Sequence, residues 1–448
     1  MAINQVPVKP ENVFQLEIES LDLEAQGVAH REGKVVFVQG ALPRETVSAE
    51  VLKRKSSYEK ARTVEILKTS YSRVEPKCPH FGVCGGCSMQ HLEFSSQVAI
   101  KARVLEDQLW HLGRIKPQTV LRPLEGPQWG YRHRARLGCR LVNKKGGMLV
   151  GFHEKGSSFV ADMTQCHVLP KFVSDMLVPL RALIGGLSIA DRAPQIELAV
   201  GHEVTAMVLR HLAPLSPADE KSLRDFADKH RVQWWLQPAG PGSVYRFYPD
   251  DGLVLSYRLP EFGITMPFLP TDFTQVNHVT NEAMVSQALR LLDVQPTDRV
   301  ADLFCGLGNF SLPLATQAAE VVGVEGSDVL TTRAQENAVV NGLGHKTRFF
   351  AKNLFELTPQ EWERWGYFDR LLIDPPREGA LAVCTALAQT SRRPRRIVYV
   401  SCNPATLARD AAILIHEGRF VLKAAGTINM FPHTSHVESI AVFDSPSD

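Results

Sequence analysis

Eight cysteines in 448 residues are too few to staple a chain of this length as a disulfide scaffold. No stretch approaches the roughly 20 uncharged apolar residues that a spanning helix requires. The opening residues, Met1 to Pro10, have no apolar segment of the kind that marks a secretory leader. Neither sign of charge is in excess: 50 Lys and Arg stand against 48 Asp and Glu, so affinity for a polyanion has to come from local clusters. The balance of 44% hydrophobic and 22% charged residues excludes a disordered chain and suits roughly two to four globular domains. We therefore expect a cytoplasmic protein, a monomer, with no membrane partner.

Within this ordinary composition, residues 299 to 310 stand out. Val300 to Phe304 reads as a buried strand, and Asp302 lies near its end. Gly306 and Gly308 then allow backbone to approach a ligand, and Phe310 to Ala319 has helical spacing with Pro313 tolerated in the first turn. A second short strand, Val321 to Val324, ends in Glu325, an acid placed to meet ribose hydroxyls. One G-x-G without a third glycine favours a mononucleoside cofactor such as S-adenosylmethionine over a dinucleotide. A tight structural turn in some α/β domain is the other reading.

Upstream, residues 12 to 68 alternate short β-rich runs with turn signals at Gly27, Gly33 and Gly40, which suggests a small β-barrel. Lys53, Arg54, Lys55, Lys60 and Arg62 surround Tyr58, a pattern suited to a phosphate backbone and a stacked base, or else a solvated hairpin tip. Cys78, Cys84 and Cys87 follow, with Gly82, Gly85 and Gly86 permitting the turns that let three thiolates converge. Cys166 is the best fourth candidate, Cys139 reads as a small core residue, and His80, His91 and His167 are weaker alternatives. Four thiolates fit an iron-sulfur cluster or structural zinc, and spacing does not choose. Residues 95 to 112 look like an amphipathic helix. Arg132, Arg134, Arg136 and Arg140 share one face of an expected strand, either an RNA-facing stripe or a salt-bridged sheet face. The stretch from about 196 to 260 reads as an irregular mixed region.

After a Pro-rich joint at Pro267 and Pro270 the chain alternates strand and helix, the pattern of a largely parallel sheet. Strands at Arg370 to Ile373 and Arg396 to Val400 lead into Asp374-Pro-Pro and Ser401-Cys-Asn-Pro, where open sheets bind ligands. Cys402 precedes a proline and an expected helix, so helix N-terminal amides should lower its thiol pKa and make it a nucleophile. A buried small residue is the plainer reading. Glu438, by position alone, is an ordinary acid opening an edge strand. Cys305 and Cys384 read as packing residues.

Taken together, Phe273-Thr-Gln-Val-Asn, Asp302-Leu-Phe-Cys-Gly-Leu-Gly-Asn-Phe, Asp374-Pro-Pro-Arg, Ser401-Cys-Asn-Pro and Phe431-Pro-His-Thr-Ser-His-Val-Glu resemble the RNA 5-methyluridine methyltransferase family over nearly the whole chain. The N-terminal runs and four cysteines point to its bacterial 23S ribosomal RNA branch. The resemblance implies an α/β fold: a Rossmann-like S-adenosylmethionine-dependent methyltransferase domain (91–130 and 271–448), an N-terminal OB-like TRAM barrel (1–70) that binds RNA, and a central iron-sulfur domain (71–90 and 131–270). It implies S-adenosylmethionine contacts from Gln275, Phe304, Asn309, Glu325, Asn353 and Asp374. It further implies Cys402 as nucleophile, Glu438 as base, and a 4Fe-4S cluster on Cys78, Cys84, Cys87 and Cys166.

That chemistry explains the residue types. Carbon 5 of uracil becomes nucleophilic once a thiolate adds to carbon 6, and a base must then remove the carbon 5 hydrogen before the thiolate leaves. The target base has to leave its stack to reach both groups. Two rivals stay open at this point: a cytosine-5 methylase, and an RNA-binding assembly factor with a degenerate catalytic domain. The same chemistry at another ribosomal or transfer RNA uridine is a third.

Overall fold

The computed structural model describes residues 10–446, so Met1 to Lys9, most of the opening stretch read above as lacking a secretory leader, lies outside the described residues. The chain divides into two compact units. The first comprises the described residues up to Lys101 with His153–Phe159 and Phe431–His436, and the second Ala102–Phe152, Val160–Met430 and the described residues from Val437. Among the described residues no helix is long and apolar enough to cross a membrane.

In the first unit six strands form one sheet: β1 (Val13–Glu17), β2 (Ser20–Leu21), β3 (Gly27–Arg31), β4 (Lys34–Gln39), β5 (Thr46–Arg54) and β6 (Tyr58–Lys68), in the order β1-β5-β6-β4-β3-β2. All pairs are antiparallel except β4 with β6. Alternation turns Val36 and Val38 of β4 and Val47, Ala49 and Val51 of β5 inward, where they bury against Leu16, Ala29 and Ala61. The sheet curls into a half-barrel, with the Glu19 N–H donating to the Val28 carbonyl at 2.9 Å. Gly27, expected in a turn, lies in β3 instead. A Cβ there would sit 2.9 Å from Ile18 and 3.0 Å from Ala41, so close packing and not turn geometry demands it. Gly33 and Gly40 do turn the chain, at φ +75° and +81°.

The first strand of the second unit is β7 (Thr119–Val120). A six-stranded sheet then replaces the irregular region expected around 196 to 260: β8 (Arg134–Val142), β9 (Gly147–Gly151), β10 (Gln195–Val200), β11 (Thr205–Arg210), β12 (Val232–Gln237) and β13 (Tyr245–Tyr248), ordered β13-β12-β11-β10-β8-β9. Its strands were hard to read because β12, Val232–Gln237, is buried on both faces and so does not alternate. A two-stranded sheet, β14 (Ser256–Leu259) with β15 (Ile264–Pro267), precedes the last layer.

That layer is an eight-stranded sheet built from β16 (Arg299–Leu303), β17 (Glu320–Glu325), β18 (Thr347–Ala351), β19 (Arg370–Ile373), β20 (Arg396–Ser401), β21 (Val421–Ile428) and β22 (Glu438–Asp444), with β7 at one edge. Its order is β18-β17-β16-β19-β20-β22-β21-β7. Strands β16 to β20 run parallel and β22 runs antiparallel between β20 and β21. Helices His278–Leu292, Ser311–Gln317, Asp328–Val340, Leu381–Gln389 and Pro404–His416 supply the connections. One core cluster joins Leu303, Ile373, Tyr399 and Phe443 to Trp362, Phe368 and Leu407, all fully buried. Truncating a side chain as large as Trp362 in such a core costs about 3–5 kcal/mol. Strand order reverses between β16 and β19, and ligands bind outside the carboxyl ends of the strands at such a switch point.

Candidate active site

The sheet brings five of the expected site residues to one edge. Phe304 follows β16, Asp374 follows β19 and Cys402 follows β20, while Glu325 ends β17. Because β22 is antiparallel, its first residue, Glu438, opens at that same edge. Register fixes the closest relation: Ser401 pairs with Ser439, so the next step along each strand sets Cys402 opposite Glu438. Leu303 likewise pairs with Ile373, which puts Phe304 and Asp374 side by side.

The glycine turn is built as its composition demands. Phe304 adopts φ +63° and Gly306 and Gly308 φ +54° and +91°. The amides of Phe304 and Cys305 both donate to the Val324 carbonyl, at 2.8 and 3.1 Å. A Cβ on Gly308 would lie 2.5 Å from Leu312 Cδ1, whereas one on Gly306 would meet no atom within 4 Å. The turn is therefore packed on one side and open on the other, a cradle for a ligand. The Glu325 carboxylate braces it, accepting from the Gly306 amide at 3.2 Å and the Gly326 amide at 2.7 Å.

Asn309 is held by residues the sequence did not single out. Its Oδ1 accepts from the Tyr257 hydroxyl and from Asn281 Nδ2, both at 2.9 Å, and its own Nδ2 donates back to Asn281 Oδ1 at 3.0 Å. Tyr257 lay in the stretch without legible pattern. Asn353 is exposed and caps the turn Leu354–Glu356, its Oδ1 accepting from the Phe355 amide at 3.1 Å. The ring of Phe355 lies 5.6 Å from that of Phe304. Gln275 sits in a loop anchored at three points: Arg134 donates to the Pro270 carbonyl at 2.7 Å, the His133 amide to Val276 at 2.7 Å, and Asn277 Nδ2 to the Met430 carbonyl at 3.2 Å. Phe273, in the same loop, is 73% exposed.

Acids dominate the electrostatics. Burial pushes Asp302 up to about 7, helped by the charges of Asp374 and Glu325 and opposed by the Ser311 hydroxyl that donates to it at 2.5 Å. Burial also pushes Asp374 up to about 7, and burial with the Asp374 charge holds Glu438 well above the ordinary carboxylate range. The same forces act on Cys402: burial, then Glu438, then Asp374 raise its thiol to about 11, against a weaker pull from Arg377. This overturns the expectation of a thiol lowered by helix amides. Asn403, not Cys402, caps the helix Pro404–His416 and takes its Ala405 amide at 3.1 Å. Burial and mutual repulsion disfavour the charged forms of these acids and of the half-buried thiol, and a cation placed among them would relieve that repulsion.

Elsewhere the arginine stripe divides, with one ion pair of the kind a salt-bridged sheet face supplies. Arg132 and Arg134 are half-buried and donate to the Arg134 and Pro270 carbonyls at 3.1 and 2.7 Å, Arg136 is exposed but paired with Glu197 at 2.8 Å, and Arg140 is exposed. In the hairpin of β5 and β6, Arg54 pairs with Glu59 at 3.3 Å and Arg62 with Glu50 at 2.7 Å. Cys139, Cys305 and Cys384 are buried as packing residues, and burial raises each thiol, Cys139 to about 12.

Cys78 and Cys84 are buried and Cys87 half-buried in the first unit, and Cys166 is buried in the second. The Gly86 amide donates to Cys84 Sγ at 3.3 Å. Gly85 cannot carry a side chain without approaching the His153 carbonyl at 3.2 Å. His91 is buried against Phe81, ring centres 5.2 Å apart, and burial lowers it to about 4. Among the described residues no group of three or more His, Cys, Asp or Glu is placed to hold a metal ion.

Comparison with known proteins gives the family and the fold. Residues 263–445 match the family described as tRNA (Uracil-5-)-methyltransferase. The chain is 66% identical over 435 residues to the 23S rRNA (uracil(1939)-C(5))-methyltransferase RlmD of Bordetella avium, covering 97% of this chain and 91% of that one. It is 63% identical to the protein of the same description from Cupriavidus metallidurans, with 96% and 94% covered. In fold it is similar to the Pyrococcus abyssi tRNA (uracil-54, C5)-methyltransferase solved with S-adenosyl-L-homocysteine, at a TM-score of 0.74, 22% identity, and coverage of 96% and 100%. The chain belongs to the family of 23S rRNA (uracil-C5)-methyltransferases.

Proposed function

We propose that this protein transfers a methyl group from S-adenosylmethionine to carbon 5 of a uridine in 23S ribosomal RNA, the uracil-1939 type of site named for its relatives. The observation that carries the mechanism is the pairing of β20 with β22, which sets Cys402 across from Glu438 with Asp374 at the end of the neighbouring strand. A nucleophile and a base on facing strand ends can address adjacent carbons of one planar ring.

In this reading the Cys402 sulfur, as thiolate, adds to carbon 6 of the flipped uracil and makes carbon 5 an enolate carbon. Glu438 then takes the hydrogen from the methylated carbon 5, and the C–S bond breaks to restore the ring. A carboxyl held above its ordinary range is a strong proton acceptor once ionised, as this step requires. S-adenosylmethionine, when bound, supplies an electrophilic methyl group on a cationic sulfur. Gln275, Phe304, Asn309, Glu325, Asn353 and Asp374 would hold it. The open side of Gly306 and the surplus of acids fit such a cation.

We assign a 4Fe-4S cluster to Cys78, Cys84, Cys87 and Cys166, as a support for the fold and for RNA contact. Four sulfurs without an oxygen donor suit a soft metal, and the hydrogen bond that the Gly86 N–H donates to Cys84 Sγ is of the kind that stabilises a thiolate. The functional division follows: residues 1–70 as the RNA-binding barrel, 71–90 and 131–270 as the cluster domain, and 91–130 and 271–448 as the catalytic domain. A cytoplasmic location goes with a ribosomal RNA substrate.

Two variants test the reading. Cys402→Ala should abolish both turnover and covalent capture of RNA, and retained methylation would refute the nucleophile. Glu438→Gln should still attach to RNA and release it slowly. Normal turnover without an accumulating adduct would remove the base.

A further inference from the structure

Asn309 is assigned to the methyl donor in the reading above, and the following rests on that assignment. Its amide has four hydrogen-bonding positions: two lone pairs on Oδ1 and two N–H groups on Nδ2. Three are committed within the protein. Both lone pairs are taken, by the Tyr257 hydroxyl and by Asn281 Nδ2, and one N–H is given to Asn281 Oδ1. A single N–H is left over.

The committed bonds also fix which way the amide faces. The Tyr257 hydroxyl could accept as well as donate, but it is buried and its hydrogen bond among the described residues is the one to Asn309 Oδ1, so a flipped amide would orphan its hydrogen; Asn281 then satisfies oxygen and nitrogen together in a closed pair. Tyr257 itself has little freedom: it is 4% exposed, with rings of Phe268 and His278 at 6.0 and 5.6 Å, and His278 stacks on His133 at 4.2 Å. Asn281 is 1% exposed in the first turn of the helix His278–Leu292. The hairpin of β14 and β15 that carries Tyr257 is tied down a second time, the Thr265 amide donating to Asn341 Oδ1 at 2.9 Å and Asn341 Nδ2 donating to the Thr265 carbonyl at 2.7 Å.

We propose that Tyr257 and Asn281 are positioning residues for the methyl donor: they lock the Asn309 amide so that one N–H, and no acceptor, faces the glycine-turn cradle. The donor atom group that meets Asn309 is therefore a hydrogen-bond acceptor. Neither residue touches the reacting carbons, so their loss acts on cofactor affinity and leaves the chemical step intact.

The test is calorimetric binding of S-adenosylmethionine to the full-length protein, with steady-state kinetics alongside. Tyr257→Phe keeps the ring and removes one donor, and should weaken binding about 3- to 10-fold, the range of one buried neutral hydrogen bond. It should raise KM for the donor equally and leave kcat at saturation unchanged. Asn281→Asp replaces the N–H donor with an acceptor, which repels Asn309 Oδ1 and should weaken binding further, while Asn281→Gln should not restore it because the longer chain cannot close the pair. In the Asn309→Ala background Tyr257→Phe should change nothing more. If Tyr257→Phe binds the donor as the natural protein does while Asn309→Ala weakens it, the locking role is wrong. If Asn309→Ala itself binds normally, the assignment of Asn309 fails instead. Equal losses in kcat and affinity, or a Tyr257→Phe effect that persists without Asn309, would mean general damage and also overturn the proposal.

Discussion

Cys402 carries a pH signature that follows from its neighbours. Burial and the charges of Glu438 and Asp374 lift its thiol to about 11, so in the ligand-free protein the sulfur stays protonated at neutral pH and its reactivity rises as pH climbs toward that value. Alkylation of Cys402 by iodoacetamide should therefore be slow at neutral pH and accelerate toward about 11. Adding S-adenosylmethionine, a sulfonium cation, should move the acceleration to lower pH, and S-adenosylhomocysteine, which lacks that charge, should move it less. Mass spectrometry of the Cys402 peptide reads the rate. A reactive thiol at neutral pH without ligand would contradict this electrostatic picture. Residue-scale chemistry was partly legible: the position of Cys402 beyond a strand could be read, but the sign of its shift could not. That sign is set first by burial and then by Glu438, 36 positions away in the chain (438 minus 402) and brought opposite by strand pairing, and neither is visible in the local sequence.

At the scale of elements, the strand, glycine turn and helix from Arg299 to Gln317 does most to define the cradle, and its tolerance is narrow. Gly308→Ala places a side chain at φ +91° and 2.5 Å from Leu312 Cδ1. We expect it to cost about 1–3 kcal/mol of stability from backbone strain alone and to weaken S-adenosylmethionine binding. Chemical denaturation and calorimetry measure the two effects, and a variant that is stable and binds normally would show that the turn relaxes freely. This element was readable because its punctuation is local: an apolar run, glycines, then Pro313 in the first turn of the helix. In the sheet from β8 to β13, β8 was readable from its alternation, but β11 and β12 were not, since they pair in parallel and are almost wholly buried, which erases the two-residue alternation. The two readings of the arginine stripe could not be separated for a related reason. Period-two spacing puts Arg134 and Arg136 on one face but says nothing of Pro270 or Glu197, which claim them.

For the whole molecule, a net charge of +2 gives no general attraction to RNA, so binding must draw on local cations. Lys53 and Lys55 are exposed and Lys60 half-exposed on the hairpin of β5 and β6, where the arginines are already paired. Replacing all three lysines with alanine should weaken RNA binding at low salt and lower the slope of log affinity against log salt by about 1 for each lysine that meets a phosphate. An unchanged slope would remove this hairpin from the RNA interface. The account as a whole turns on a sulfur and a carboxylate acting on one uracil, and a 23S ribosomal RNA fragment with 5-fluorouridine at the target position tests it. Fluorine at carbon 5 cannot be removed as a proton, so with S-adenosylmethionine the reaction should stop as a covalent complex of one protein, one RNA and one methyl group, linked through Cys402. No adduct, or attachment through any other residue, would contradict the account.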